Sequence, residues 1–492
     1  MKIHPVDLAI IVGYLLGVTA LGIYFRRSQS GARDYFLGGR TAPWWALAFS
    51  IVATESSTLT IIGAPAISYS GNLTFIQLVF GYLLGRVLIV LLLLPGYFRG
   101  EIFTAYAVIE RRFGVTMRAV AASTFLVTRA LAEGVRVSAI ALVFSVAFGT
   151  SERMAVVAVI ALTVVYTFEG GMKAVIWTDV AQLLLYLSGS MITFLLLWHR
   201  IPGGWIEVSR VAAYSGHKLQ FLDFSFGLAT KYTFWSGLIG GAFLTMASHG
   251  TDQTIVQRLL AARNESDSRR ALLASGAIVF LQFTVFLLIG VLLFVFAQHT
   301  PLLRAGERLD RLLPIFLVRE MPPGLAGLLL ASILAVAMSN ASGSLNSLAA
   351  SSVLDFAWLR GSPPDPASLL RHSRLATLLW GLALMAFGFI PWGPLLEAGL
   401  TVAALPFGSL LGLFLLGTLD RRATPHGALA GMIAGLATIL GVLRFTQVAF
   451  TWYVFIGATV TFAVGSLFSR GLQPRPPGAK VSNRAASPSR AS

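Results

Sequence analysis

No cysteine occurs in the 492 residues. That excludes disulfide bridges, a cysteine nucleophile and thiolate metal sites. Charge is scarce as well: Asp, Glu, Lys and Arg make up 12% of the chain, against about 25% in soluble domains. There is no Gly-rich phosphate loop, so an ATP-driven machine is not expected. No Ser/His/Asp grouping and no His/Asp/Glu metal spacing marks an enzyme. The opening stretch MKIHPVDLAIIVGYLLGVTALGIYF is too long for a signal peptide and has no small-residue cleavage site. It is expected to persist as a first membrane span.

What the chain does have is apolar surface. It is 56% hydrophobic, with a mean hydropathy of +0.77, and apolar runs of membrane length recur throughout. An all-α polytopic membrane protein follows, since a β-barrel would show short alternating segments instead. Thirteen spans are expected, at about 5–25, 44–68, 72–98, 117–148, 154–168, 173–198, 232–252, 271–298, 324–357, 374–391, 394–418, 425–443 and 447–469. With the N-terminus outside and the C-terminus inside, 23 of the 37 Lys and Arg residues border the cytoplasm, as the positive-inside rule requires. The net charge of +16 therefore reads as membrane topology and not as nucleic-acid binding. Loops 199–231 and 299–323 are expected outside, with short surface helices. The Pro-, Ser- and Arg-rich tail is expected to be disordered in the cytoplasm.

Residues 44–68 break the rule for a plain span. Their middle holds Thr54, Glu55, Ser56, Ser57, Thr58 and Thr60, followed by Gly63 and Pro65. An ionisable group at that depth costs at least about 2.5 kcal/mol unless it faces a cavity, an ion or a partner. Gly and Pro loosen the helix ladder, so a broken span is expected. A second interrupted segment, 232–252, carries Gly237, Gly240, Gly241 and Gly250. Paired broken helices five spans apart point to inverted repeats. The expected organisation is 1–43, first span and cytoplasmic loop; 44–198, repeat one; 199–231, outer loop; 232–418, repeat two; 419–469, two further spans; 470–492, tail.

Other polar residues lie deep in spans. Ser339, Ser342, Gly343 and Asn346 share one helix face. Asn340 and Ser344 add oxygens of the kind a hard cation takes, although small residues also line ordinary helix interfaces. Asp179 stands with Thr178 and Gln182, either as an interfacial acid near Lys173 or on an ion path. Arg129, Glu133 and Arg136 fall on one face. They form either a closed charge ladder or a carboxylate grip with one arginine facing a cavity, and Glu55 is a rival partner for Arg136. Arg86 and His249 receive no sharp role.

The segments YFLGGRTAPWW, EGGMKAVIWTDVAQ, HGTDQTIVQRLLAARN and MSNASGSLNS resemble the sodium:solute symporter family from about residue 5 to 470. The resemblance implies a leucine-transporter-like five-plus-five fold with alternating access and Na+ as coupling ion. It places a Na+ site on the carbonyls of Ala53, Ser56 and Val336 with Ser339 and Asn340, where family members commonly have Ser at the last position. It places a second Na+ on Asp179, Ser339 and Ser342, weakened here because Gly343 lacks a hydroxyl. Solute would sit against Glu55, Ser57 and Thr60, with Gln77 and with Arg129 or Arg136. The implied function is inward Na+-coupled symport of a small carboxylate-bearing or zwitterionic solute. A Na+/sugar symporter and a proton-coupled carrier using Glu55 are the alternatives. A multi-pass plasma-membrane protein of the bacterial inner-membrane kind is expected. Its partners would be solute, Na+ and the lipid bilayer, without nucleic acid or an obligate protein partner.

Overall fold

The computed structural model describes residues 4–26, 40–99, 104–166, 172–215, 217–354, 356 and 366–471. Among them helices follow one another without a strand, apart from one isolated bridge between Ala42 and Ala262. We number the helices α1 (Pro5–Arg26), α2 (Trp44–Glu55), α3 (Thr58–Ser70), α4 (Ile76–Leu92), α5 (Tyr106–Phe113), α6 (Val115–Phe148), α7 (Glu152–Tyr166), α8 (Met172–Arg200) and α9 (Gly204–Tyr214). Next come α10 (Gly241–Gly250), α11 (Gln253–Leu260), α12 (Glu265–His299), α13 (Leu312–Glu320) and α14 (Leu325–Leu354). The last are α15 (Pro366–Gly388), α16 (Leu395–Leu419), α17 (Pro425–Phe445) and α18 (Tyr453–Gly471). Within the described residues each expected span overlaps one helix or one linked pair. Among the described residues, six helices are long and apolar enough to cross a membrane, and α2 with α3 makes a seventh if the bent pair is one span. The short helices α9 and α13 lie in the two loops expected outside.

The expected break is present. α2 and α3 meet at 65° across Ser56 and Ser57. The Ser57 N–H, which an unbroken helix would give to the Ala53 carbonyl, goes to Thr60 Oγ1 at 3.4 Å. Main-chain oxygens so released are tolerated at membrane depth only inside protein or against a cavity. The Pro65 region is braced by α12: Ser68 Oγ donates to the Leu287 carbonyl at 2.7 Å. At Gly290 a Cβ would come within 2.2 Å of the Pro65 carbonyl, so only glycine allows this approach.

The second interruption takes a different form. Ser236–Gly240 is a π-turn running directly into α10, and the chain breaks later, at Thr251 and Asp252. Its glycines serve packing, since a Cβ on Gly241 would meet the Leu78 carbonyl of α4 at 2.3 Å. The result is a backbone-to-backbone seam that holds α10 against α4.

Candidate functional site

The α2–α3 break opens onto a cavity of about 150 Å³ walled by α2, α3, α4, α6, α10, α11, α12 and α16. Glu55, Ser57 and Thr60 line it, and Thr54, Thr128, Thr245 and Ser248 add hydroxyls. Arg129 and Arg136 line it from α6. Apolar walls come from Phe75, Phe283, Leu400 and Phe407.

Two charge clusters flank this space. In the first, Glu55 forms an ion pair with Arg86 and lies 3.2 Å from His249 Nε2. Arg86 is 1% exposed. It also donates to Ser275 Oγ at 3.1 Å and to the Tyr82 carbonyl at 3.2 Å, and its Nη2 lies 3.3 Å from His249 Nε2. His249 Nδ1 is 2.9 Å from Ser248 Oγ. Arg86 and His249, without a role in the sequence reading, thus hold the cavity carboxylate Glu55. The signal was the buried cation itself, which needs an anion nearby, and Glu55 is the carboxylate of the preceding span. Arg136 is not the partner of Glu55.

The second cluster realises the α6 ladder. Glu133 Oε2 lies 3.3 Å from Arg136 Nη1 and 3.8 Å from Arg129 Nη2, and the Ser344 hydroxyl donates to it at 2.8 Å. Arg129 donates to Ser344 Oγ through Nε at 3.0 Å and Nη2 at 2.6 Å, and reaches Asp252 at 3.9 Å. Two guanidinium groups therefore share one fully buried carboxylate, and Asp252 completes the balance from the α10–α11 break. Arg129 is held on three sides. Among the described residues Arg136 makes a single hydrogen bond through one nitrogen, and its donors are in a planar fork suited to a carboxylate.

The oxygen-rich groups behind the break are only partly assembled in view. The Ser56 carbonyl accepts from Asn340 Nδ2 at 3.3 Å, and Ser56 Oγ donates to Gln282 Oε1 at 2.9 Å. Residues Val336, Ser339 and Ser342 belong to α14, but their side chains lie outside the described residues. Among the described residues no three His, Asp or Glu side chains converge as on a transition metal. The carbonyl, hydroxyl and amide groups around the break are instead of the class a hard cation takes.

Asp179 is engaged elsewhere. Its Oδ2 accepts from Ser50 Oγ at 2.6 Å and from Arg258 Nη2 at 2.9 Å. Arg258 also donates to Ser50 Oγ at 2.9 Å, which closes a triangle between α8, α2 and α11. Gln77 does not line the cavity. Its amide donates to the Thr74 and Tyr232 carbonyls at 3.2 Å each and accepts from the Asp223 N–H at 2.9 Å. It therefore ties α4 to the loop before α10, and Phe75 takes the wall position instead.

With this geometry in hand, the chain can be set beside known proteins. The model of the sodium:solute symporter family matches residues 35–435. The chain is 29% identical over 483 residues to the sodium/sialic acid symporter SiaT of Proteus mirabilis, covering 95% of this chain and 96% of that one. It is 30% identical over 469 residues to the sodium/sialic acid symporter NanT of Aliivibrio fischeri, covering 93% and 91%, and 31% identical over 446 residues to the human sodium/iodide cotransporter, covering 89% and 69%. A solved Na+-coupled sialic acid symporter, in a substrate-bound outward-open state, superposes with a TM-score of 0.85 at 29% identity over 96% of this chain and 99% of that one. A nucleobase-cation-symport-1 family transporter shares the fold with a TM-score of 0.58 at 15% identity, over 88% and 93%. These relatives are transporters and not enzymes. A broken helix at a buried polar cavity, and a family match over most of the length, place this chain in the sodium:solute symporter family, as a membrane symporter that couples a solute to Na+.

Proposed function

We propose that the chain imports a small organic acid bearing several hydroxyl groups, of the acidic-sugar class, together with Na+. The observation that carries this reading is the contrast at the cavity wall. Glu55 is neutralised by Arg86, whereas Arg136 lines the cavity and, among the described residues, donates one hydrogen bond, to Glu133. A solute carboxylate meets a planar bidentate donor there, and the threonine and serine hydroxyls at the break suit a polyol. A solute ammonium finds no uncompensated anion at Glu55, which disfavours a zwitterion. Two relatives named as sodium/sialic acid symporters support the same class.

In this reading the chain crosses the membrane thirteen times with its N-terminus outside. Segments 44–198 and 232–418 are antiparallel repeats, and the protein sits in a bacterial inner membrane. Na+ binds at the α2–α3 break, on the Ala53, Ser56 and Val336 carbonyls with Ser339, and Asn340 stands beside the Ser56 carbonyl. It favours an outward-facing state, solute closes the cavity, and inward opening releases both. A potential of 100 mV supplies about 2.3 kcal/mol per charge carried across. Asp179 is paired with Arg258 and Gly343 has no hydroxyl, so the second cation site is not used and one Na+ moves per cycle.

The test is thermal stability of the purified protein against sialic acid, lactate, proline and glucose, in Na+ and again in K+. A ligand at 100 times its Kd stabilises by about 2.7 kcal/mol. Sialic acid should raise Tm in Na+ only. A shift with glucose or proline, and none with either acid, would overturn the reading.

A further inference from the structure

We propose that the Asn340 side-chain amide is a plug on the Na+ site, which lowers the affinity of the site until the amide turns away. The inference rests on the reading that Na+ binds at the α2–α3 break. There the Ser56 carbonyl is one of the main-chain oxygens released by the break, and a hard cation needs such oxygens. In the structure that carbonyl accepts from Asn340 Nδ2 at 3.3 Å. An amide NH2 carries partial positive charge on its hydrogens, so it repels a cation drawn to the same oxygen. A hydroxyl in this place could turn a lone pair to the ion with no such conflict.

The backbone at Asn340 is held, so the side chain must move. The Asn340 carbonyl accepts from Ser344 Oγ at 2.8 Å, and Ser344 is itself gripped by Arg129 and joined to Glu133. The plug therefore stands on a helix segment anchored to the solute-side charge cluster. The terminal torsion of an asparagine is broad, so rotation of the amide opens the carbonyl without a shift of α14.

The experiment is a Na+ titration of Tm on the full-length protein without solute, at constant ionic strength with KCl. It compares the parent with Asn340→Ala, Asn340→Ser and Ser339→Ala, each against its own Na+-free Tm. That reference separates ion binding from any loss of stability. Asn340→Ala and Asn340→Ser should lower the half-saturating Na+ concentration about two- to tenfold, the range spanned by removal of one neutral hydrogen bond. A rise in half-saturation for Asn340→Ala would mean that the amide oxygen is a ligand, and would overturn the plug. A change below twofold would overturn it too. Ser339→Ala should weaken Na+ binding if the ion sits at the break. If Ser339→Ala and both Asn340 variants titrate like the parent, the placement of the site has failed; if only Ser339→Ala behaves as expected, the placement stands and the plug falls.

Discussion

The two charge clusters at the cavity contain the same chemistry and are built differently. Around Glu55, one carboxylate meets one deeply buried guanidinium, and Ser275, Tyr82 and His249 take up the remaining contacts of that guanidinium. Around Glu133, one carboxylate is shared by two guanidiniums, with Asp252 standing off at 3.9 Å. The first arrangement is compensated in charge, with Glu55 and His249 still lining the cavity. The second is balanced in charge but short of hydrogen bonds among the described residues, where Arg136 donates through one nitrogen. On the proposed function, selectivity for an anion would come from incomplete pairing and not from an excess of positive charge, which would be costly at this depth.

That comparison can be broken in order of expected effect. Glu55→Gln should strand Arg86 and destabilise the protein by about 3–5 kcal/mol, as loss of one partner from a buried pair does. Glu55→Gln with Arg86→Met should recover most of that loss, read as Tm in detergent without ligand. Arg136→Gln should lower affinity for the acidic solute by about 2–5 kcal/mol while the Na+-induced rise in Tm remains. An equal loss of solute affinity in Glu55→Gln would erase the distinction between the clusters. Gln77→Ala should cost about 1–3 kcal/mol of stability through its unsatisfied loop partners, with no change in solute affinity. Asp179→Asn strands Arg258 as Glu55→Gln strands Arg86 and costs stability likewise, but the half-saturating Na+ concentration of the folded protein should be unchanged, and a rise would restore Asp179 as an ion ligand.

Much of the architecture was legible in the sequence because membrane helices are governed by one variable, apolar length. The α2–α3 break was legible for the complementary reason. A carboxylate among hydroxyls ahead of Gly63 and Pro65 cannot sit in lipid as a plain helix, and the 65° bend falls at Ser56 and Ser57. The internal order of the α6 ladder was readable too, since Arg129, Glu133 and Arg136 share a helix face. Pairings between helices were not. Arg86 meets Glu55, and Arg258 meets Asp179, through packing that no spacing along the chain encodes. Gln77 was read as a pocket residue because an amide in a span suggests one, whereas here the chain before α10 folds back, Asp223 donating to the amide and the Tyr232 carbonyl accepting from it. The glycines of the second interruption misled in a similar way: they permit a close seam with α4 and not an unwound gap.

The most direct measurement is uptake of labelled sialic acid into proteoliposomes, driven by an inward Na+ gradient and repeated with K+ in place of Na+. The account predicts accumulation in Na+ only, competed by other carboxylated sugars and not by glucose, and lost in Arg136→Gln. Accumulation of labelled glucose in the same vesicles, undisturbed by carboxylates and retained in Arg136→Gln, would contradict it.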